Sequence, residues 1–504
     1  MFGAVSYDTE IGPDASIGSE EVGSSQRSTS AVERERRLAW WLLLAVGAGF
    51  LLTQLVFFPF VRPSLWDEAV YLSQVTPGMD ALFMDAWRSR GITLLIAPVT
   101  LLGGTLPDVR LFLTIASAAA MMVAFRLWIP LIGLAAPIAA FLFSFTWLTL
   151  IYGSALMPNI WAAILGVAVA GLVGRRLEDG TLVEAVVAAV LLGVMALTRP
   201  SEATVLAGAI GLYLILVRRS AWRFGLGLGL GLLLGWLPWI LEMSIRFGGL
   251  SGAFHRANSA GHLSAAPIRE NVLAYLSFAY GRKELPLDQV PVEGVVWWSL
   301  LLALAVIALF RQVQGRGRSV ALLASLATAA AAVEYLVFVP IVAARFLLPA
   351  YAFAAVTAAI GLAWLLQRGL AGRAVGALVL ALIVPWALWQ LDVSRGVLAG
   401  QLRPSERFYE AGLLLRDLAG EGPCSFVSPA VHPQVQIASG CSGGKLISRE
   451  PTLTQLATAA SGEEVFIILP HAAARGSRLA ALDPTRYRST RRTWFIYQLS
   501  QLVQ

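Results

Sequence analysis

Long apolar runs, separated by short turns that carry arginine, set the plan of this chain. The first run extends from Leu38 to Phe60. At ~1.5 Å of rise per residue it crosses a ~30 Å hydrocarbon core as one helix. Further runs follow over Pro107 to Phe125 and Ile129 to Ile151, then down to Arg175-Arg176, up to Thr198-Arg199-Pro200 and down to Arg218-Arg219. A seventh starts at Arg223 and carries glycines from Gly225 to Gly235, which predict close helix packing. The remaining four lead to Arg311, to Val339-Pro340, from Phe346 to Arg368, and onward from about Arg373. The pattern predicts about eleven transmembrane helices. Arginines at alternate turns (Arg126, Arg175, Arg218, Arg318, Arg373) place those turns in the cytoplasm. The N-terminus then lies inside, behind Glu33-Arg34-Glu35-Arg36-Arg37, and the C-terminus outside.

Between the runs, residues 61–107 and 242–293 form the expected external loops. Within the first, Ile92 to Leu102 is apolar but too short to span, so it is assigned to the membrane interface. Residues 1–38 are polar and rich in Ser and Gly, a disordered cytoplasmic tail with no cleavable signal peptide. Residues 39–391 make the transmembrane domain. After that the pattern changes. A polar helical stretch, Glu406 to Leu418, precedes strand-like runs at Cys424 to Val427, Val465 to Leu469 and Thr493 to Leu499. Residues 392–504 are therefore read as a small extracytoplasmic α/β domain. An oxidising compartment would let Cys424 and Cys441 pair; two unrelated buried thiols are the alternative. The fold class is a polytopic α-helical membrane protein with a C-terminal α/β domain.

Composition agrees with a bilayer as the main solvent. The chain has 504 residues, 57% hydrophobic and 14% charged, with a mean hydropathy of +0.70. The net charge of +7 belongs to the arginine clusters at the turns, so nucleic acid is not the implied partner.

Candidate chemistry concentrates in Leu65-Trp66-Asp67-Glu68-Ala69-Val70-Tyr71, just past the first span. Adjacent carboxylates at a membrane face are costly unless water, a cation or a substrate uses them. Trp66 and Tyr71 suit the interfacial layer. Cations expected on the same side are Arg88, Arg90, Arg199, Arg282, Lys283 and Arg345. His255 and His262, with Asn258 between them, have no acidic partner nearby; no metal site is assigned, and a divalent cation stays open. No glycine loop of the nucleotide-binding type occurs, which points to a lipid-linked donor.

Three stretches in this order, Trp66-Asp67-Glu68-Ala69-Val70-Tyr71, Leu197-Thr198-Arg199-Pro200 and Arg345-Phe346-Leu347-Leu348-Pro349, resemble the C-type (GT-C) integral-membrane glycosyltransferases. The resemblance is to the polyprenyl-phosphate-sugar group, which includes the protein O-mannosyltransferases and the lipid A aminoarabinose transferases. It implies an inverting transfer of a sugar from a polyprenyl-phosphate carrier to an extracytoplasmic acceptor at a bacterial-type plasma membrane. Asp67 would be the general base with Glu68 as its neighbour. Arg345, Arg199, Arg88 and Arg90 would hold the donor phosphate, and Tyr71, Arg282 and Lys283 would serve the acceptor or its loop. Two places depart from the family: Arg88-Ser89-Arg90-Gly91-Ile92 where many relatives have a Pro-Pro step, and Met157-Pro158-Asn159 where Glu-Pro is frequent.

The chemistry explains the residue types. The sugar leaves through an oxocarbenium-like transition state, a carboxylate removes the acceptor proton, and arginines stabilise the departing phosphate. A transporter or flippase is the competing expectation, and a family member that only binds lipid is a third. A transporter should show internal repeats and mid-membrane charges; no repeat is evident, and Glu334 is the main intramembrane acid.

Overall fold

The computed structural model describes residues 18–179, 181–217, 221–259, 268–278, 292–311, 316–420, 422, 424–428, 432–445, 464–469, 485–488 and 493–498. Among them, eight helices are long and apolar enough to cross a membrane. Shorter apolar helices at Ala135–Ser144, Leu182–Thr198 and Val295–Phe310 stand where the third, fifth and eighth spans were expected. The protein is an integral membrane protein of the polytopic helical class. Its first helix begins at Gly18, so it takes in the second half of the segment read as an unstructured tail.

The third run departs from expectation. Ile129 to Ile151 is broken into helices Ile129–Ile132, Ala135–Ser144 and Trp147–Tyr152. Gly133 at φ +54° ends the first piece, and the Thr146 hydroxyl caps the third by accepting from the Thr149 N–H. The second break leads into residues buried from Trp147 to Tyr152, where protein can satisfy the freed backbone groups.

The centre of the bundle is the helix Leu348–Leu366, buried at every residue from Leu348 to Leu362. Its alanines and glycine let the helices Val292–Arg311, Arg316–Val333, Ala135–Ser144 and Pro158–Asp179 close around it. At Gly361 a Cβ would collide with the Leu304 carbonyl. The glycine-rich helix Trp222–Phe247 is narrower in its contacts than its sequence suggested. Gly231 and Gly235 meet the carbonyls of Ala189 and Gly193, whereas Gly227 and Gly229 face open space.

The last helix, Leu370–Ala419, runs on for 50 residues, so the expected eleventh span and the polar stretch Glu406 to Leu418 are one element. It leads to a five-stranded sheet of order β2-β1-β3-β5-β4, with β1 Cys424–Ser428, β2 Ser442–Lys445, β3 Glu464–Leu469, β4 Thr485–Arg488 and β5 Thr493–Gln498. β1 pairs in parallel with β2 and β3, and β5 pairs antiparallel with β3 and β4. Phe426, Phe466, Ile468 and Ile496 pack against Ala411 and Leu415 of the long helix. Cys424 and Cys441 form a disulfide. Between them the short helix Pro433–Ser439 packs on both the long helix and the Trp66–Ser73 helix, and Gln436 Nε2 donates to the Asp80 carbonyl at 2.9 Å. The α/β domain thus rests on the element that carries Asp67.

Candidate active site

Leu65 to Tyr71, read from sequence as a loop, is instead the opening of a helix, Trp66–Ser73. Leu65 is extended (φ −68°, ψ 158°), and Asp67 and Glu68 lie in the first turn. Free N–H groups and the helix dipole favour carboxylates there. Successive helical residues are turned by ~100°. The two acids therefore look in different directions.

Glu68 looks inward and is fully buried. Its Oε2 is 2.6 Å from Arg110 Nη2, and its Oε1 accepts from Arg110 Nε at 3.2 Å and from the Leu156 N–H at 3.3 Å. Arg62 Nη2 stands 3.9 Å away. The Leu65 N–H donates to Oε2 at 2.9 Å, closing the helix start. Arg110 uses its other donors on the carbonyls of Phe60, Arg62 and Pro63 at 2.8–3.1 Å. Burial pushes the Glu68 carboxyl up, but Arg110, Arg62 and the Leu65 N–H outweigh it and hold it at about 2. Burial likewise brings Arg62 down to about 10, against the pull of Glu68. This network ties the chain at 60–68 to the second span and offers Glu68 no open side toward a substrate. The sequence placed Glu68 beside the reacting centre; the helix turn places it in the core.

Asp67 looks outward, with its side chain 17% exposed. Arg88 Nη2 lies 2.9 Å from its Oδ1, and Arg345 Nη2 lies 3.0 Å from its Oδ2. Arg88 also approaches Asp85 at 3.7 Å and stands over the buried Tyr71 ring, 5.4 Å from its centroid. Burial works against the Arg88 charge, but Tyr71 and Asp67 more than offset it and raise the guanidinium above its ordinary value. Arg345 stands over the ring of Phe346 at 5.3 Å. One carboxylate is thus held between two guanidinium groups, from the loop after the first span and from the start of a late one.

The other expected cations are engaged elsewhere. Arg90 makes a two-pronged pair with Glu242 at 2.6–3.1 Å and donates to Gln74 Oε1 at 2.7 Å. Arg199 pairs with Glu202 at 2.9 Å and donates to the Tyr335 hydroxyl, which itself donates to Glu202. Arg282 and Lys283 lie outside the described residues. Sequence reasoning missed Arg110, Glu242, Glu202 and Tyr335. Arg110 had a signal, a charge inside the apolar run from Pro107 to Phe125. Among the described residues no group of three His, Cys, Asp or Glu side chains could hold a metal ion.

No protein-family model matches the sequence, and no curated relative matches it. Solved structures share its fold. ArnT from Cupriavidus metallidurans, solved bound to undecaprenyl phosphate, matches with a TM-score of 0.64 at 14% identity, over 90% of this chain and 97% of that one. The apo form of the same protein gives 0.60 at 15% identity, over 91% and 97%. The oligosaccharyltransferase of Archaeoglobus fulgidus in complex with zinc and sulfate gives 0.51 at 13%, over 90% and 73%. The chain therefore shares its fold with ArnT and with the archaeal oligosaccharyltransferase.

Proposed function

We propose that this chain, built on the C-type glycosyltransferase fold, transfers a sugar from a polyprenyl-phosphate carrier to an acceptor hydroxyl on the extracytoplasmic side. The observation that carries the proposal is the Asp67 carboxylate set between Arg88 and Arg345 at 2.9 and 3.0 Å, partly open to its surroundings. A base and two phosphate-binding forks in one place are what the reaction requires.

In the proposed step the donor phosphate shares the two guanidinium groups with Asp67, which brings its anomeric carbon beside the carboxylate. The acceptor oxygen bonds to that carbon from the side opposite the phosphate, and its proton passes to Asp67. The carbon–oxygen bond to the phosphate breaks, and its electron pair stays on the polyprenyl phosphate, held by Arg88 and Arg345. Attack opposite the leaving group inverts the anomeric centre. Arginine-bearing turns on the opposite face support the extracytoplasmic placement. The likeness to ArnT, solved with undecaprenyl phosphate, supports a polyprenyl-phosphate carrier.

The test is donor consumption by purified protein in liposomes. Undecaprenyl-phosphate-linked mannose, glucose and arabinose are offered with a cell-envelope extract as acceptor. Release of undecaprenyl phosphate by the wild type but not by Asp67→Asn supports the proposal. Equal release by both removes Asp67 from the chemistry.

A further inference from the structure

We propose that the rings of Trp66 and Phe83 form a platform that takes the face of the donor's sugar beside Asp67. This inference rests on the donor assignment above and adds a sugar subsite to it.

Phe83 has φ +49°, the one non-glycine residue with positive φ among the described residues. A bulky L-residue adopts that region only when its surroundings hold it there. Here they do. Gln74 Nε2 donates to the carbonyls of Leu82 and Phe83 at 2.9 and 3.3 Å, the Leu82 N–H donates to Ser73 Oγ at 3.1 Å, and the Asp85 N–H donates to the Phe83 carbonyl at 2.7 Å. Gln74 is in turn fixed by Arg90, itself clamped by Glu242. The end of the Asp67 helix therefore imposes the backbone of residue 83.

What this strained turn presents is an aromatic ring outside the apolar core. The Phe83 ring lies 5.3 Å from that of Trp66, with the planes tilted by 54°. Trp66 is 38% exposed, and among the described residues neither ring is part of a buried apolar cluster. Packing alone gives no reason to hold Phe83 there. The turn also leads directly into the charged site: Asp85 faces Arg88, which faces Asp67. Trp66 and Asp67 share the first turn of one helix, and the Phe83 turn runs through Asp85 to Arg88; in the proposal, a sugar on a phosphate held by Arg88 and Arg345 extends across this turn to the two rings. Sugar rings carry C–H groups on their faces and hydroxyls around their rim. The C–H face packs on the electron-rich face of an aromatic ring while the rim stays hydrogen-bonded.

Equilibrium binding tests this without turnover. Wild type, Phe83→Gly and Trp66→Leu are placed in nanodiscs and titrated with undecaprenyl phosphate, bare or carrying mannose, glucose or arabinose. The platform requires that wild type bind a sugar-bearing lipid more tightly than the bare one. Each variant should lose up to about tenfold for the sugar-bearing lipid and nothing for the bare phosphate. Glycine accepts positive φ, which offsets part of the lost ring contact, so Phe83→Gly should remain folded under the binding conditions, as a thermal melt would show. If both variants keep the wild-type preference, or lose affinity for bare and glycosylated lipid alike, the rings are interfacial anchors and the platform is overturned. If wild type binds both lipids equally, the platform fails while the phosphate site stands. If it binds neither, the donor assignment falls and takes the platform with it.

Discussion

Arg345 Nη2 lies 3.0 Å from Asp67 Oδ2, joining two residues 278 positions apart in the chain. The pair draws the start of the Leu348–Leu366 helix onto the helix that follows the first span. Arg88 reaches the other oxygen of the same carboxylate at 2.9 Å, so removing Asp67 would leave two guanidinium groups facing each other, whereas removing either arginine leaves the carboxylate with one partner.

Asp67→Asn keeps the shape of the side chain but not its proton acceptor. Transfer should fall by roughly 10²-fold or more, while the yield of folded protein is retained. Donor turnover alongside a thermal melt separates the two effects. Near-normal turnover would show that another group removes the proton.

For Glu68 the expectation is the reverse, loss of the fold before loss of chemistry. Breaking one partner of a buried ion pair typically costs about 3–5 kcal/mol. Glu68→Gln and Arg110→Met should each lower the melting temperature in detergent, and the double variant should fall by less than their sum. Additive losses would show that the pair is not coupled.

The same pair has a defined pH behaviour. The Glu68 carboxyl is held at about 2, below its ordinary value near 4.5. Its stabilising contribution is present in full above about 4.5 and is lost as pH falls toward 2. Melting of the wild type should carry a Glu68-dependent decline in that acid range and none between pH 6 and roughly 8. A wild-type minus Glu68→Gln difference that titrates near neutrality would contradict this placement.

Arg345→Lys retains a positive charge but not the planar fork. Donor KM should rise and the melting temperature should hold, whereas Arg345→Ala should lose more of both donor binding and turnover. Unchanged donor kinetics in Arg345→Ala would make the residue an anchor only.

Helix packing gives a test independent of chemistry. A side chain at Gly231 would run into the Ala189 carbonyl, whereas one at Gly227 meets nothing nearby. Gly231→Leu should destabilise by about 1–3 kcal/mol, and Gly227→Leu should be close to neutral. Equal effects in a thermal melt would mean that the Leu182–Thr198 and Trp222–Phe247 helices do not cross as described.

The bilayer as solvent, the eleven apolar runs and the α/β domain at the end are all legible in the order of residues. These follow from local quantities, the length of an apolar run and the spacing of charges, that need no knowledge of what lies across the fold. The three motif stretches also pointed to Asp67 and Arg345 before any coordinates. Which carboxylate faces where depends on the folded chain. Asp67 and Glu68 are neighbours of the same type, and what separates them is a helix that starts at Trp66 and an arginine, Arg110, waiting 42 residues downstream. The candidate cations were likewise equivalent on paper. Arg90 and Arg199 are taken by Glu242 and Glu202, leaving Arg88 and Arg345 on Asp67. Ion pairing depends on distance in space, and residues 152 or 278 positions apart carry no local trace of being partners.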